Sequence, residues 1–260
     1  VRFLQPAGPA ELTLEAQAAF GPGVTHVVVA GGDGTVNSVV NALGAHVGAT
    51  EWGLIPMGTG NDLARTLGLP ADPVQAAGVV VSGRVVDLDV CRASGGGVER
   101  LFVNACMGGI AVEVDAVVDD SMKERLGALA FWLGGAKAAA RLERFVAIVN
   151  GTEVPDCVAV GVGNGRTCGG GIEVWPQARP DDGVLDGCAL PAASVPAAVR
   201  LAVKVKTGGH EQLPGVAMVS APRIAIDARP GIELNVDGEL VGLRTPATFE
   251  PVASAMIRVP

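Results

Sequence analysis

Residues 27–40 read VVVAGGDGTVNSVV: β-branched residues, three glycines around one aspartate, then a new period. Val36, Val39, Val40 and Leu43 fall at i, i+3, i+4 and i+7, one face of a helix. A second unit repeats this grammar. The apolar run Trp52–Pro56 enters the loop MGTGND, and a short helix over Leu63–Leu67 ends before Gly68 and Pro70, with Asn61 or Asp62 as its cap. Asp72-Pro73 then opens a third helix, with proline at its first position, and Gly83 closes it. Such alternation winds into a parallel sheet. Val24–Ala30 reads as a strand covered on both faces, and both glycine turns are expected at the carboxyl edge, where ligands bind.

The pattern changes near Arg84. Val86, Leu88 and Val90 alternate with Asp87 and Asp89, a half-buried strand. Leu101–Ala105 reads as another strand, and a helical region is expected over Val112–Arg144. Hairpin signals follow: Phe145–Val149 meets Asn150-Gly151, and Cys157–Val162 resumes as strand. Further strands are predicted over Val184–Leu190, Arg223–Asp227, Ile232–Val236 and Ala255–Val259, with a helix over Val195–Lys206 capped by Ser194. We therefore expect an α/β unit over 1–84 and a mostly β unit over 85–246.

With 260 residues, 49% of them hydrophobic, the chain has ample core-forming material, but Tyr is absent, so cores rest on Val, Leu, Ile and Ala. A net charge of −8 argues against a general nucleic-acid binder. It also argues against strong overall attraction to anionic lipid, leaving room for a local basic patch. Five cysteines without CxxC spacing read as small buried thiols in a reducing compartment, and His26, His46 and His210 have no ligand spacing. The apolar stretch Gly127–Ala140 carries Lys137 and is too short to span a bilayer. The expectation is a cytoplasmic protein without a signal peptide. Its natural start is expected upstream, because Val1 is not Met.

Successive N–H groups in a glycine turn, backed by a helix N-terminus, form an anion cradle. Glycine lets phosphate approach without a Cβ in the way. Gly31, Gly32, Gly34 and Thr35 are the candidates in the first turn, and Thr59 and Asn61 in the second. Thr59 offers a hydroxyl to a phosphate or ribose; Asn61 either bonds the first loop or caps its helix. A carboxylate here repels a polyphosphate unless a cation intervenes, and magnesium bridges phosphate oxygens using few carboxylates. Asp33 thus faces the metal of a Mg-nucleotide or the hydroxyl to be phosphorylated. The alternative is an aspartate that caps its helix. The pattern is neither the G-x-G-x-x-G fingerprint nor a P-loop.

The ordered set GGDGTVN, PMGTGNDLAR, VDLDVCR, FVNACMGGI, VGNGRTCGGGIEVWPQARPDDGVLDG and LNVDGE resembles the catalytic domain of the diacylglycerol kinase and bacterial lipid kinase family. GGDGT alone is shared with NAD kinases and phosphofructokinases; the ordered set covers nearly the whole chain. The resemblance implies a Rossmann-like α/β nucleotide domain and a C-terminal β-sandwich domain, with the active site in their cleft and residues 247–260 returning to the first domain. It implies transfer of the γ-phosphoryl of ATP to a lipid hydroxyl, with Gly32 through Ser38, Asn37 among them, and Thr59 holding the nucleotide. Asp33 and Asp87 would belong to the network around nucleotide-bound Mg2+. Glu239 would be the general base, and Asp182 with the carbonyls of Arg179 and Val184 would hold a structural Mg2+. On residue pattern alone, Asp87 also reads as a solvent-facing strand residue, Glu239 as a turn acid and Asp181-Asp182-Gly183 as a plain turn.

Two departures stand out. Residues 1–23 contain no Asn-Pro-x-x-Gly loop, and Ser38 stands where the family commonly has Glu. A lipid acceptor implies peripheral membrane contact. The segment VPAAVRLAVKVKTGGH, with Arg200, Lys204 and Lys206, is one candidate surface and Met122–Trp132 is another; both also suit helices packed on a core. A homodimer is compatible with the reading. The alternatives are a soluble-acceptor kinase of the NAD kinase type and a catalytically weak nucleotide- or lipid-binding regulator.

Overall fold

The computed structural model describes residues 1–109, 143–206 and 208–260. The helical region expected over Val112–Arg144 lies outside them but for its last two residues, as do the candidate segments Gly127–Ala140 and Met122–Trp132.

A helix that the sequence reading does not foresee, α1 (Pro9–Ala19), precedes β1 (His26–Gly31). The first unit continues through α2 (Asp33–Leu43), β2 (Glu51–Pro56), α3 (Asp62–Thr66) and α4 (Pro73–Ser82). The expected cap of α4 is present, with Asp72 Oδ1 accepting from Gln75 N at 2.9 Å. β1 and β2 pair in parallel from His26 opposite Glu51 to Gly31 opposite Pro56, so both strands end at the two glycine turns. β1 lies at the end of the sheet and exposes Val28, so it is not covered on both faces as expected.

Two long strands carry the chain between units. β3 (Arg84–Gly95) and β15 (Ala247–Val259) run antiparallel along their length, with a bulge between Pro251 and Ala253. β15 also pairs in parallel with β2 through Met256 and Ile257, and antiparallel with β12 (Ile224–Arg229) through Ala247–Phe249. The sheet is therefore mixed: β15 lies between β2 and β3. Arg258 hydrogen bonds to Glu51 at the same seam. Val29, Val36, Val40, Leu54, Leu63, Val90 and Ile257 fill the core beneath the glycine turns, each contributing on the order of 1.5–3 kcal/mol by burial.

The remaining strands build the sandwich-like unit. β4 (Val98–Phe102) and β5 (Ala105–Gly109) replace the single strand expected over Leu101–Ala105. The ladder breaks at Val103-Asn104 because their N–H groups, with that of Ala105, bond the Asp237 carboxylate. β6 (Phe145–Val149) turns at Asn150 (φ 47°) and Gly151 (φ 84°) into β7 (Thr152–Gly163), the hairpin the sequence announces. Then come β8 (Thr167–Cys168), β9 (Ile172–Glu173), β10 (Leu185–Pro191), the Ser194-capped helix α5 (Val195–Val205), β11 (Ala217–Ala221), β13 (Glu233–Val236) and β14 (Glu239–Arg244). Cys91, Cys106, Cys157 and Cys188 are buried, and burial pushes the Cys188 thiol up to about 12.

Candidate active site

The first glycine turn ends in a helix whose N-terminus no side chain of its own caps: Gly32 at the cap position has extended backbone. Thr35 folds over Gly31 so closely that a Cβ there would lie 2.6 Å from the Thr35 Cβ. Gly34, in the first turn of α2, meets a residue from the far end of the chain. A Cβ on Gly34 would collide with Oε1 of Glu239. A two-residue turn aims Glu239 there. Asp237 (φ 47°) and Gly238 (φ 86°) join β13 to β14, with Val236 opposite Glu239, as the Asp-Gly pair predicts. A carboxylate from the β unit thus lies against the helix N-terminus of the α/β unit, where negative charge is favoured.

The second turn packs against the first. A Cβ on Gly58 would lie 2.5 Å from the Gly32 Cα, so both glycines are needed for contact between the loops. Asp33 reaches across to the second turn. Its Oδ2 accepts from Asp62 N at 3.0 Å and its Oδ1 from Leu63 N at 3.1 Å, capping α3 from the neighbouring loop. Burial raises its carboxyl above the ordinary range, an effect tempered by those two amides. Asn61 bonds its own loop and not the first one, donating to Gly58 O at 2.6 Å and accepting from Gly58 N at 2.8 Å. It provides no side-chain cap. Thr59 is exposed and Ser38 half-buried.

Asp62, an alternative cap on sequence grounds, is instead a buried brace. Its two oxygens accept from Gly170 N at 2.8 Å and Gly171 N at 2.7 Å, tying the loop between β8 and β9 to the second turn. Arg65 closes the corner by donating to Gly60 O at 3.1 Å. Asn37 is likewise committed within the protein: it donates to Leu101 O and to Asp237 Oδ2, each at 2.9 Å, and accepts from Arg100. Its side chain makes a joint between the units.

Asp87 lies apart from the turns, exposed on β3 and bonded to Ser254. The other acid of VDLDV is the one that matters to the Arg179–Val184 turn. Asp89 is buried, accepts from Gly183 N at 2.8 Å and donates its own N–H to Pro180 O at 2.7 Å. Burial raises its carboxyl, and the charges of Asp182 and Asp181 add to the rise. Asp182 Oδ1 accepts from Val184 N at 3.0 Å. This surplus of negative charge in a turn of oxygen donors suits a hard cation. Among the described residues no three acidic, His or Cys side chains converge. A cation here would therefore lean on main-chain carbonyls as well as Asp182, with Arg179 and Val184 as the expected donors.

Asp237, Asp62 and Asp89 escape the sequence reading because each looks like an ordinary turn or strand acid. The partners that hold their carboxylates lie 94 to 200 positions away, beyond any local pattern.

Two glycine turns thus meet a carboxylate of the β unit at the start of α2, an arrangement that known proteins share. Residues 2–93 match the diacylglycerol kinase catalytic domain, and residues 104–259 the YegS C-terminal NAD kinase beta sandwich-like domain. The chain belongs to the YegS-like lipid kinase family. It is 33% identical over 230 residues to "Probable lipid kinase YegS-like" of Stenotrophomonas maltophilia, covering 85% of this chain and 74% of that one. To the protein of the same name from Pseudomonas putida it is 34% identical, covering 92% and 78%. A solved structure titled "Crystal structure of a putative diacylglycerol kinase from Bacillus anthracis str. Sterne" superimposes with a TM-score of 0.81 at 28% identity, covering 99% of this chain and 85% of that one.

Proposed function

We propose that this protein transfers the γ-phosphoryl group of Mg-ATP to the hydroxyl of a lipid, diacylglycerol or a close relative. The observation that carries this reading is the Glu239 carboxylate lying against Gly34 at the uncapped start of α2. Phosphoryl transfer needs an anion-binding surface for the transferring group and a base for the attacking hydroxyl. The N-terminal amides of α2 supply the first and stabilise charge as it develops. Glu239 supplies the second, taking the acceptor's proton as its oxygen attacks phosphorus. Asp33 serves by holding the second turn in place. Mg2+, when bound, neutralises phosphate charge. Asp182 with the carbonyls of Arg179 and Val184 is the set that would hold a structural ion.

The reaction is tested with labelled Mg-ATP and mixed micelles carrying diacylglycerol, sphingoid bases or a glycolipid, with NAD as a soluble control. Label is expected in one lipid class, and Glu239→Gln is expected to lose roughly 10²–10⁴-fold in turnover while folding normally. Label in NAD alone would replace the lipid acceptor with a soluble one.

Contact with the bilayer falls in this reading to α5, whose outer face shows Val199, Arg200, Val203 and Lys204. Among the described residues no helix is long and apolar enough to cross a membrane. Exchanging Arg200 and Lys204 for Glu should weaken sedimentation with anionic vesicles by roughly 1 kcal/mol per charge; unchanged sedimentation would move the contact elsewhere.

A further inference from the structure

Asp237 occupies the first position of a tight hairpin turn, where an aspartate ordinarily points to water. Here its side chain is buried. Oδ1 accepts from the N–H groups of Asn104 at 3.0 Å and Ala105 at 2.9 Å. Oδ2 accepts from Val103 N at 3.1 Å and from Asn37 Nδ2 at 2.9 Å. The Asp237 N–H completes the ring of contacts by donating to Ala105 O at 2.8 Å. Three donors belong to the break between β4 and β5; the fourth stands on α2, one turn after Gly34. The other face of Asn37 is gripped by Arg100 at 3.0 and 3.1 Å.

We propose that Asp237 is the positioning residue that sets Glu239 against the start of α2. It joins the hairpin to the helix through Asn37, so that base and anion-binding surface keep one spacing. Glu239 follows Asp237 by two residues across a turn that leaves little backbone freedom. On the other side, Gly34 precedes Asn37 by three residues in a regular helix. The Asp237–Asn37 bond is thus the short path between the two functional groups, and no other hydrogen bond of the described residues joins α2 to this hairpin. Burial pushes the Asp237 carboxyl up to about 6, while Asn37 and the three amides pull the other way. A carboxylate held at that cost of desolvation is matched to its donors, and an amide in its place turns at least one N–H toward another N–H.

The inference rests on Glu239 being the working carboxylate, and its test separates the two ideas. Two variants are compared with wild type: Asp237→Asn and Asn37→Asp. Each single change is expected to lower kcat roughly 10–100-fold with little change in KM for ATP. In a Glu239→Gln background, Asp237→Asn should cause no further loss, since a positioning residue acts through the group it positions. Losses that multiply in that background would overturn the proposal. Hydrogen exchange of residues 34–37 and 236–240 follows the joint without reference to turnover. Asp237→Asn should expose both segments together. Protection of 236–240 unchanged from wild type would overturn the proposal even if Glu239→Gln proved inactive. Retained activity in Glu239→Gln alongside joint exposure would instead remove the base and leave the joint. If Asp237→Asn does not fold, Asn37→Ser removes the α2 donor together with its contacts to Leu101 and Arg100 and carries the same measurements.

Discussion

The two glycine turns begin alike, each following a parallel strand and opening a helix, yet the fold gives them opposite tasks. The first leads into eleven residues of helix whose N-terminus no side chain of its own caps, with Glu239 beside it. The second leads into five residues whose first amides are occupied by Asp33. Its other polar groups are spent on bracing: Asn61 on Gly58, Asp62 on Gly170 and Gly171, Arg65 on Gly60. A glycine-rich strand-to-helix turn is therefore not by itself an anion site. What distinguishes the two is which amides remain after the neighbours have taken theirs.

Substitution of one glycine in each turn should separate activity from stability. Gly34→Ala places a methyl group against the movable end of Glu239, and a first-turn alanine suits the helix. We expect a loss near 10²-fold in kcat with an unchanged or slightly raised midpoint of urea unfolding. A lower midpoint with intact kcat would make the first turn a brace as well. Gly58→Ala faces the backbone of Gly32, which cannot swing aside. It should cost about 1–3 kcal/mol in stability, read from urea titration, with turnover per folded molecule changing less. The smallest effect is expected from Asp33→Asn, which leaves one α3 amide without its acceptor at a cost of about 1 kcal/mol. This cost should depend on pH. The folded carboxyl of Asp33 lies above its ordinary value of 3.8, so the folded chain holds that proton more tightly than the unfolded one. Its contribution to stability is greatest at low pH and declines as pH rises through the folded value. The gap between wild type and Asp33→Asn should therefore narrow from pH 4 to pH 7; a constant gap would mean that folding does not raise this carboxyl.

Much of this division is written locally and part is not. Strand, turn and helix follow from β-branched runs, glycines and a 3.6-residue period, and Asp237-Gly238 and Asn150-Gly151 form the turns their sequences announce. The ordered motifs point to the family that the comparisons show. Local pattern does not show which aspartate faces what. Asp33 looks like a metal contact because glycines surround it in sequence; in space α3 meets it first. Asp87 and Asp89 stand two residues apart on one strand, yet only Asp89 reaches the Arg179–Val184 turn. Asn37, read as a nucleotide contact, serves a carboxylate 200 positions away. Such pairings are decided by topology, which brings β13 and β14 across to α2.

The β3–β15 ribbon has a consequence for the order of synthesis. The sheet beneath the glycine turns receives its third parallel strand from Met256 and Ile257, which follow the whole sandwich unit in the chain. The α/β unit emerges first but waits for the sandwich unit to be made before its sheet is complete. Until then β2 offers a bare edge next to the buried core, so the nascent chain has a period of exposure that a simple N-terminal domain, closed on itself, would not have.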